Sequence, residues 1–106
     1  MRVLFDQGTP APLRSYLASH QVSTTYELGW GSLTNGELLQ QAESRGYEVL
    51  VTTDQNLKYQ QNLASRKIAV VVLDAASWPR IQRVLPSVIE AINNIKANGY
   101  LEVSVP

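Results

Sequence analysis

A chain of 106 residues is expected to form one domain, spanning 1–106, around a single buried core. Its nine basic and nine acidic residues cancel, which argues against an extended electrostatic surface for nucleic acid and leaves room for a local basic patch. With 44% apolar residues, 17% charged residues and no cysteine, the composition fits a compact globule and excludes disulfides, thiol catalysis and cysteine-held zinc.

The opening run Met1-Arg2-Val3-Leu4-Phe5-Asp6 stops being apolar too early for a signal peptide. No stretch approaches the ~18 apolar residues of a membrane helix, so the expected location is the cytoplasm. Arg2 to Phe5 reads as a first strand. Thr9 then stands as an N-cap before Pro10 and Pro12, with Leu13, Tyr16, Leu17 and His20 on one helical face. Val22 to Tyr26 reads as a second, more exposed strand. Gly29-Trp30-Gly31 is loop. Thr34-Asn35-Gly36-Glu37 has capping-box spacing, and Leu38, Leu39, Ala42 and Arg45 continue a helix that Gly46 closes.

Glu48 to Thr53 reads as the third strand. Asn56 to Ser65 predicts a short helix, and Ile68 to Leu73 the fourth strand. Ser77 opens a long helical region with Trp78 inward, which Pro86 kinks or divides and Gly99 ends. Tyr100 to Val105 can add an edge strand. The alternation predicts a three-layer α/β/α domain with a central, mainly parallel sheet of four to five strands.

Three apolar runs end on an aspartate: Val3-Leu4-Phe5 on Asp6, Val49 to Thr53 on Asp54, and Val70 to Leu73 on Asp74. Apolar runs without alternation mark strands buried on both faces, and ligands of open parallel sheets bind along the rim formed by the strands' carboxyl ends. In the common doubly wound order the first and third strands are neighbours, roughly 4.8 Å apart, which brings Asp6 and Asp54 to one site. Asp74 falls about 10 Å from Asp6, on the periphery. Each aspartate can also serve as a turn former, and Glu37 can simply reach back to the Thr34 amide. A first-turn glutamate can still point toward the rim. Carboxylates without an ordered histidine pair suit magnesium or manganese better than zinc, the ion activating water against a phosphodiester.

Other residues carry weaker signals. Lys58, one turn beyond Asp54, is a candidate for a substrate phosphate or a solvated lysine. Arg14, Arg66 and Lys67 are either a modest patch or scattered surface charge. Trp30 can stack an unpaired base or plug the sheet. His20 has no acid or nucleophile near it in sequence and reads as structural.

The segments Val3-Leu4-Phe5-Asp6, Thr34-Asn35-Gly36-Glu37-Leu38-Leu39 and Val49-Leu50-Val51-Thr52-Thr53-Asp54, in this order and spacing, resemble the PIN-like nucleases, most of all the short bacterial PIN-like group related to VapC-type toxin ribonucleases. The resemblance implies a divalent-metal-dependent endoribonuclease that uses Mg²⁺ or Mn²⁺. It implies Asp6, Glu37 and Asp54 as catalytic and metal-holding acids, with Thr52 in support. It also implies RNA as substrate, a small antitoxin protein as partner and a homodimer. The chain departs from the group at Asn56, where a further acid is common, and at Gln7-Gly8-Thr9, where many PIN domains have a short hydroxyl-bearing turn. Asn56 can still orient water, but with one charge fewer to hold a metal. Two other functions fit the sequence: a PIN-like module that binds RNA or protein without cutting, and a receiver-like domain phosphorylated on Asp54. The second lacks a lysine in its late segment, Tyr100 to Pro106.

Overall fold

The computed structural model of the chain describes residues 1–106. Five strands form one all-parallel sheet in the order β2-β1-β3-β4-β5, with β1 at Arg2–Phe5, β2 at Gln21–Thr24, β3 at Val49–Thr52, β4 at Ala69–Leu73 and β5 at Tyr100–Val103. The expected α/β class and central sheet are therefore present, with five strands. No helix is long and apolar enough to cross a membrane.

Strand periodicity divides the core between two faces. Val3, Phe5, Val49, Val51, Val71 and Leu73 pack on one side against helices α4 (Trp78–Gln82) and α5 (Leu85–Asn94), while Leu4, Leu50, Val70 and Val72 pack on the other. That second side is covered by Leu38, Leu39 and Ala42 of helix α2 (Asn35–Ser44). Covering both faces is what makes these strands uniformly apolar. Pro86 divides the long helical region as expected. It occupies the first turn of α5, where a missing N–H leaves no helical bond unmade. Trp78 is half-buried, its ring centroid 5.9 Å from that of Tyr16.

Three expected elements differ. The Thr9–His20 helix is only a 3-10 turn at Ala11–Tyr16. Thr9 does not cap it, because its hydroxyl donates to Val51 O at 2.8 Å and lies 3.0 Å from Asp6 Oδ1. His20 lies beyond that turn, with Nδ1 3.3 Å from the Met1 amine and Nε2 2.5 Å from Asn93 Oδ1, a structural setting. The second strand stops at Thr24, whose side chain caps a one-turn helix α1 (Thr25–Leu28) in a capping box with Glu27. The predicted Asn56–Ser65 helix is one turn, α3 (Leu57–Gln60), followed by a 3-10 turn at Leu63–Ser65. In contrast, α2 begins at the Thr34–Glu37 capping box, and the turn after it uses Gly46 at φ +81°. Only glycine adopts that backbone without strain.

Candidate functional site

The strand order reverses between β1 and β3, so the carboxyl ends of those strands form the crevice where open parallel sheets bind ligands. Asp6 follows β1 and Asp54 follows β3 by two residues. Thr52 connects them. Its hydroxyl donates to Asp6 Oδ2 and accepts the Asp54 backbone N–H at 3.0 Å. Thr52 is 1% exposed, so this bridge is fixed by the packed sheet.

Asp6 is held further by the turn that follows it. Its Oδ1 accepts from the Gly8 amide at 3.1 Å and shares the single proton of the Thr9 hydroxyl, whose oxygen is 3.0 Å away, with Val51 O. The segment Gln7-Gly8-Thr9 thus still supplies a hydroxyl to the acid. Burial pushes the Asp6 carboxyl above the usual carboxylate range, and the bonds from Thr52, Thr9 and Gly8 offset part of that rise. No lysine or arginine pairs with Asp6.

Asp54 is held by donors of its own. Its Oδ1 accepts the Asn56 amide at 2.9 Å, closing a local turn, and its Oδ2 accepts Asn35 Nδ2 at 3.2 Å. Asn56 therefore contributes its backbone here, while its side chain caps nothing. Asn35 also donates to Gln60 Oε1 at 2.9 Å, tying the start of α2 to α3 across the site. Asn35 was missed in the sequence because its partner lies 19 residues away. Nothing local marks it.

Glu37 is placed differently from Asp6 and Asp54. Its Oε1 accepts the Thr34 amide at 2.9 Å, and this bond holds its carboxyl below the usual range. No group of three Asp, Glu, His or Cys side chains lies close enough to share an ion. Glu37 completes the cap, and the neighbouring Asn35 reaches Asp54 in its stead.

The remaining candidates are engaged elsewhere. Lys58 pairs with Glu102 at 3.2 Å and lies 5.1 Å from the Tyr59 ring centroid, which makes it a pairing lysine rather than a free phosphate ligand. Arg14 clasps Glu27 through both guanidinium nitrogens, at 2.8 and 3.0 Å, and Arg66 pairs with Glu43 at 3.0 Å. Asp74 lies two strands from Asp6, where its Oδ1 accepts the Val105 amide at 2.6 Å and secures the chain end.

Two hollows flank Asp6. The smaller, about 130 Å³, is lined by Gln7, Thr25, Trp30, Leu33 and Asn35. The larger, about 420 Å³, is lined by Gln7, Pro10, Thr24, Thr25 and Tyr26. Trp30 packs edge-on to Tyr47 with centroids 6.2 Å apart while lining the smaller hollow, so it plugs the sheet and faces the site together. A third hollow of about 270 Å³ lies at the opposite, amino-terminal end of β3 and β4. Its glutamates are occupied, Glu43 by Arg66 and Glu48 by the Arg2 amide.

The donor set suits a hydrated hard ion. Magnesium and manganese need only one or two carboxylates, with waters completing the octahedron. Asp6 accepts three bonds and Asp54 two, leaving lone pairs free on both of these two-oxygen groups. Fold and site together define an open, all-parallel α/β domain with two aspartates at its switch point, the Asp6 carboxylate joined through Thr52 to the Asp54 backbone amide. Compared with protein-family models, with curated proteins and with solved structures, the chain matches none.

Proposed function

We propose that this chain is a divalent-metal-dependent endoribonuclease of PIN-like type. The observation that carries the reading is the Thr52 hydroxyl, which ties the Asp6 carboxylate to the Asp54 backbone amide at the switch point. Asp6 and Asp54 hold Mg²⁺ or Mn²⁺. Thr52 and Asn35 orient those acids, and Asn56 fixes Asp54 through its amide. Glu37 acts by setting the start of α2. When bound, the ion supplies a hydroxide at neutral pH and offsets charge on the scissile phosphodiester. A small antitoxin and a homodimer remain part of this reading.

One observation favours a second reading, a module that binds RNA or protein without cutting. Arg14, Arg66 and Lys58, the cations suited to phosphate, are each paired with a glutamate. The receiver-like alternative shares the strand order β2-β1-β3-β4-β5. Against it, no lysine follows β5.

The test is cleavage of structured RNAs with Mg²⁺ or Mn²⁺ by the wild type, Asp6→Asn and Asp54→Asn. Metal-dependent cutting lost in both variants is the expected result. Cutting that survives both would remove these acids from the mechanism. Intact RNA binding without cutting would select the binding module, and labelling of Asp54 by a small phosphodonor would select the receiver.

A further inference from the structure

The sheet has β2 at one edge and β5 at the other, and the chain treats the two differently. At the β2 edge the Gln21 amide bonds inward to Met1 O, so the alternation of the strand turns the main-chain groups of Val22 and Thr24 outward. Both residues are covered. Arg14 donates to Val22 O, Glu27 Oε1 accepts the Thr24 amide at 3.0 Å, and the two side chains clasp each other. Cover of this kind keeps an edge from pairing with another chain.

The β5 edge carries no such cover. The Val70 and Asp74 amides donate to Gly99 O and Val103 O, which directs the odd-numbered residues of β5 at β4 and turns the main-chain groups of Tyr100 and Glu102 outward. The polar side chains at this edge bond one another instead of that backbone: Lys58 Nζ and the Tyr100 hydroxyl both donate to Glu102 Oε2, at 3.2 and 3.1 Å. The strand holds no proline or lysine of its own, and Leu101, between the two outward residues, is 42% exposed. An exposed apolar side chain flanked by unpaired N–H and C=O groups is the form of an edge that pairs.

We infer that β5 is the contact between two copies of this chain, their β5 strands pairing antiparallel so that the two sheets run on as one. A second copy is the occupant that the edge itself describes. A two-fold dimer presents the same edge from both sides, which sets the strands antiparallel. About an axis through Leu101, Tyr100 of each copy stands opposite Glu102 of the other, and these residues exchange both of their backbone bonds. Leu101 then meets Leu101 of the second copy, about 4.5 Å away between Cα atoms. The charges fit as well. Glu102 of the second copy arrives beside Tyr100, whose ring centroid lies 5.8 Å from Lys58 Nζ. The inference rests on the sheet edges alone and uses nothing of the metal site; it assigns the surface through which a homodimer forms.

Sedimentation equilibrium of the whole chain across a concentration series tests it, with melting as the folding control. The samples are wild type, Leu101→Lys, Leu101→Glu, an equal mixture of those two, and Glu102→Pro. The wild type should form a dimer. Each Leu101 variant should lose it by setting like charges opposite each other, and the mixture should regain it, because position 101 faces itself across the axis. Glu102→Pro reads the edge independently of Leu101, since it removes an outward N–H without touching the bonds to β4, and it should weaken the dimer by about tenfold or more. A wild type that stays monomeric overturns the inference and leaves the acids of the ribonuclease reading untouched. A dimer that persists in the Leu101 variants also overturns it, the contact then lying on another face. Loss in both variants without recovery in the mixture overturns the pairing, as does a Glu102→Pro dimer as tight as the wild type's. The expected dimer without RNA cleavage overturns the ribonuclease reading alone.

Discussion

Replacing Thr52 by valine keeps the shape of a residue that is 1% exposed and removes both bonds of the bridge. Hydrogen bonds to a charged group contribute about 1.5–3 kcal/mol, and the lower value suits Asp6, which is only partly buried. The Asp54 amide loses a neutral bond of about 1 kcal/mol. A methyl group buried in place of the hydroxyl returns about 0.8 kcal/mol. The net loss is about 1.7 kcal/mol. For a domain of this length, with roughly 2.1 cal/mol/K of unfolding entropy per residue, that lowers Tm by about 8 °C. Urea unfolding at pH 7 measures it. An Asp6→Ala background isolates the bridge, because only the Asp54 bond then remains to lose and the cost of Thr52→Val should fall to a few tenths of a kcal/mol, about the 1 kcal/mol bond less the methyl gain. An equal cost in both backgrounds would show that Thr52 and Asp6 are not coupled, and the proposed connection between the two acids would fail.

Asp6→Asn should gain stability relative to the wild type as pH rises. Burial raises the folded-state pKa of Asp6 above 3.8, so ionising it disfavours the folded state from about that pH upward, until the folded pKa is passed. Below that window the difference should stop changing with pH, and an advantage of Asp6→Asn that grows toward low pH would contradict the assignment. Asn35→Asp places a third carboxylate beside Asp54. It should strengthen Mn²⁺ binding by about tenfold through ligand charge and lower the melting temperature without metal, both read by a Mn²⁺ titration with thermal unfolding. Glu37→Gln keeps the acceptor for the Thr34 amide and should leave Mn²⁺ affinity unchanged. A loss of binding at unchanged melting temperature would make Glu37 a ligand.

The strands were legible because their apolar runs record burial on both faces, and the adjacency of β1 and β3 followed from the usual doubly wound order. The start of α2 was legible because a capping box is local. The first helix was not. Its proline pair looked like a helix start, but the Thr9 hydroxyl that would cap it is taken by Val51 of β3, 42 residues away. The end of β2 did carry a readable signal. Thr24-x-x-Glu27 has the same spacing as Thr34-x-x-Glu37, yet the run Val22 to Tyr26 with its β-branched residues reads as strand. Asn35 matters through a partner, Asp54, that only the folded chain brings to it.

The exchange of Glu37 for Asn35 changes the electrostatics of the site. Three carboxylates would give an ion a net negative pocket, tighter for metal and repulsive to a phosphate backbone. Two carboxylates balance a divalent charge, and the neutral Asn35 and Asn56 add hydrogen bonds without further charge. Such a site holds its ion more weakly and keeps most of the shell as water. Water in the shell is what a substrate phosphate can displace, so a loosely held ion is open to the chemistry a closed site would exclude. The raised pKa of Asp6 points the same way, since a buried carboxylate without a cation is stabilised most by the ligand that brings positive charge. The asparagine at position 35, the one at 56 and the neutral overall charge are therefore consistent with the proposed hydrated-ion site, in which Asp6 would be the most demanding group.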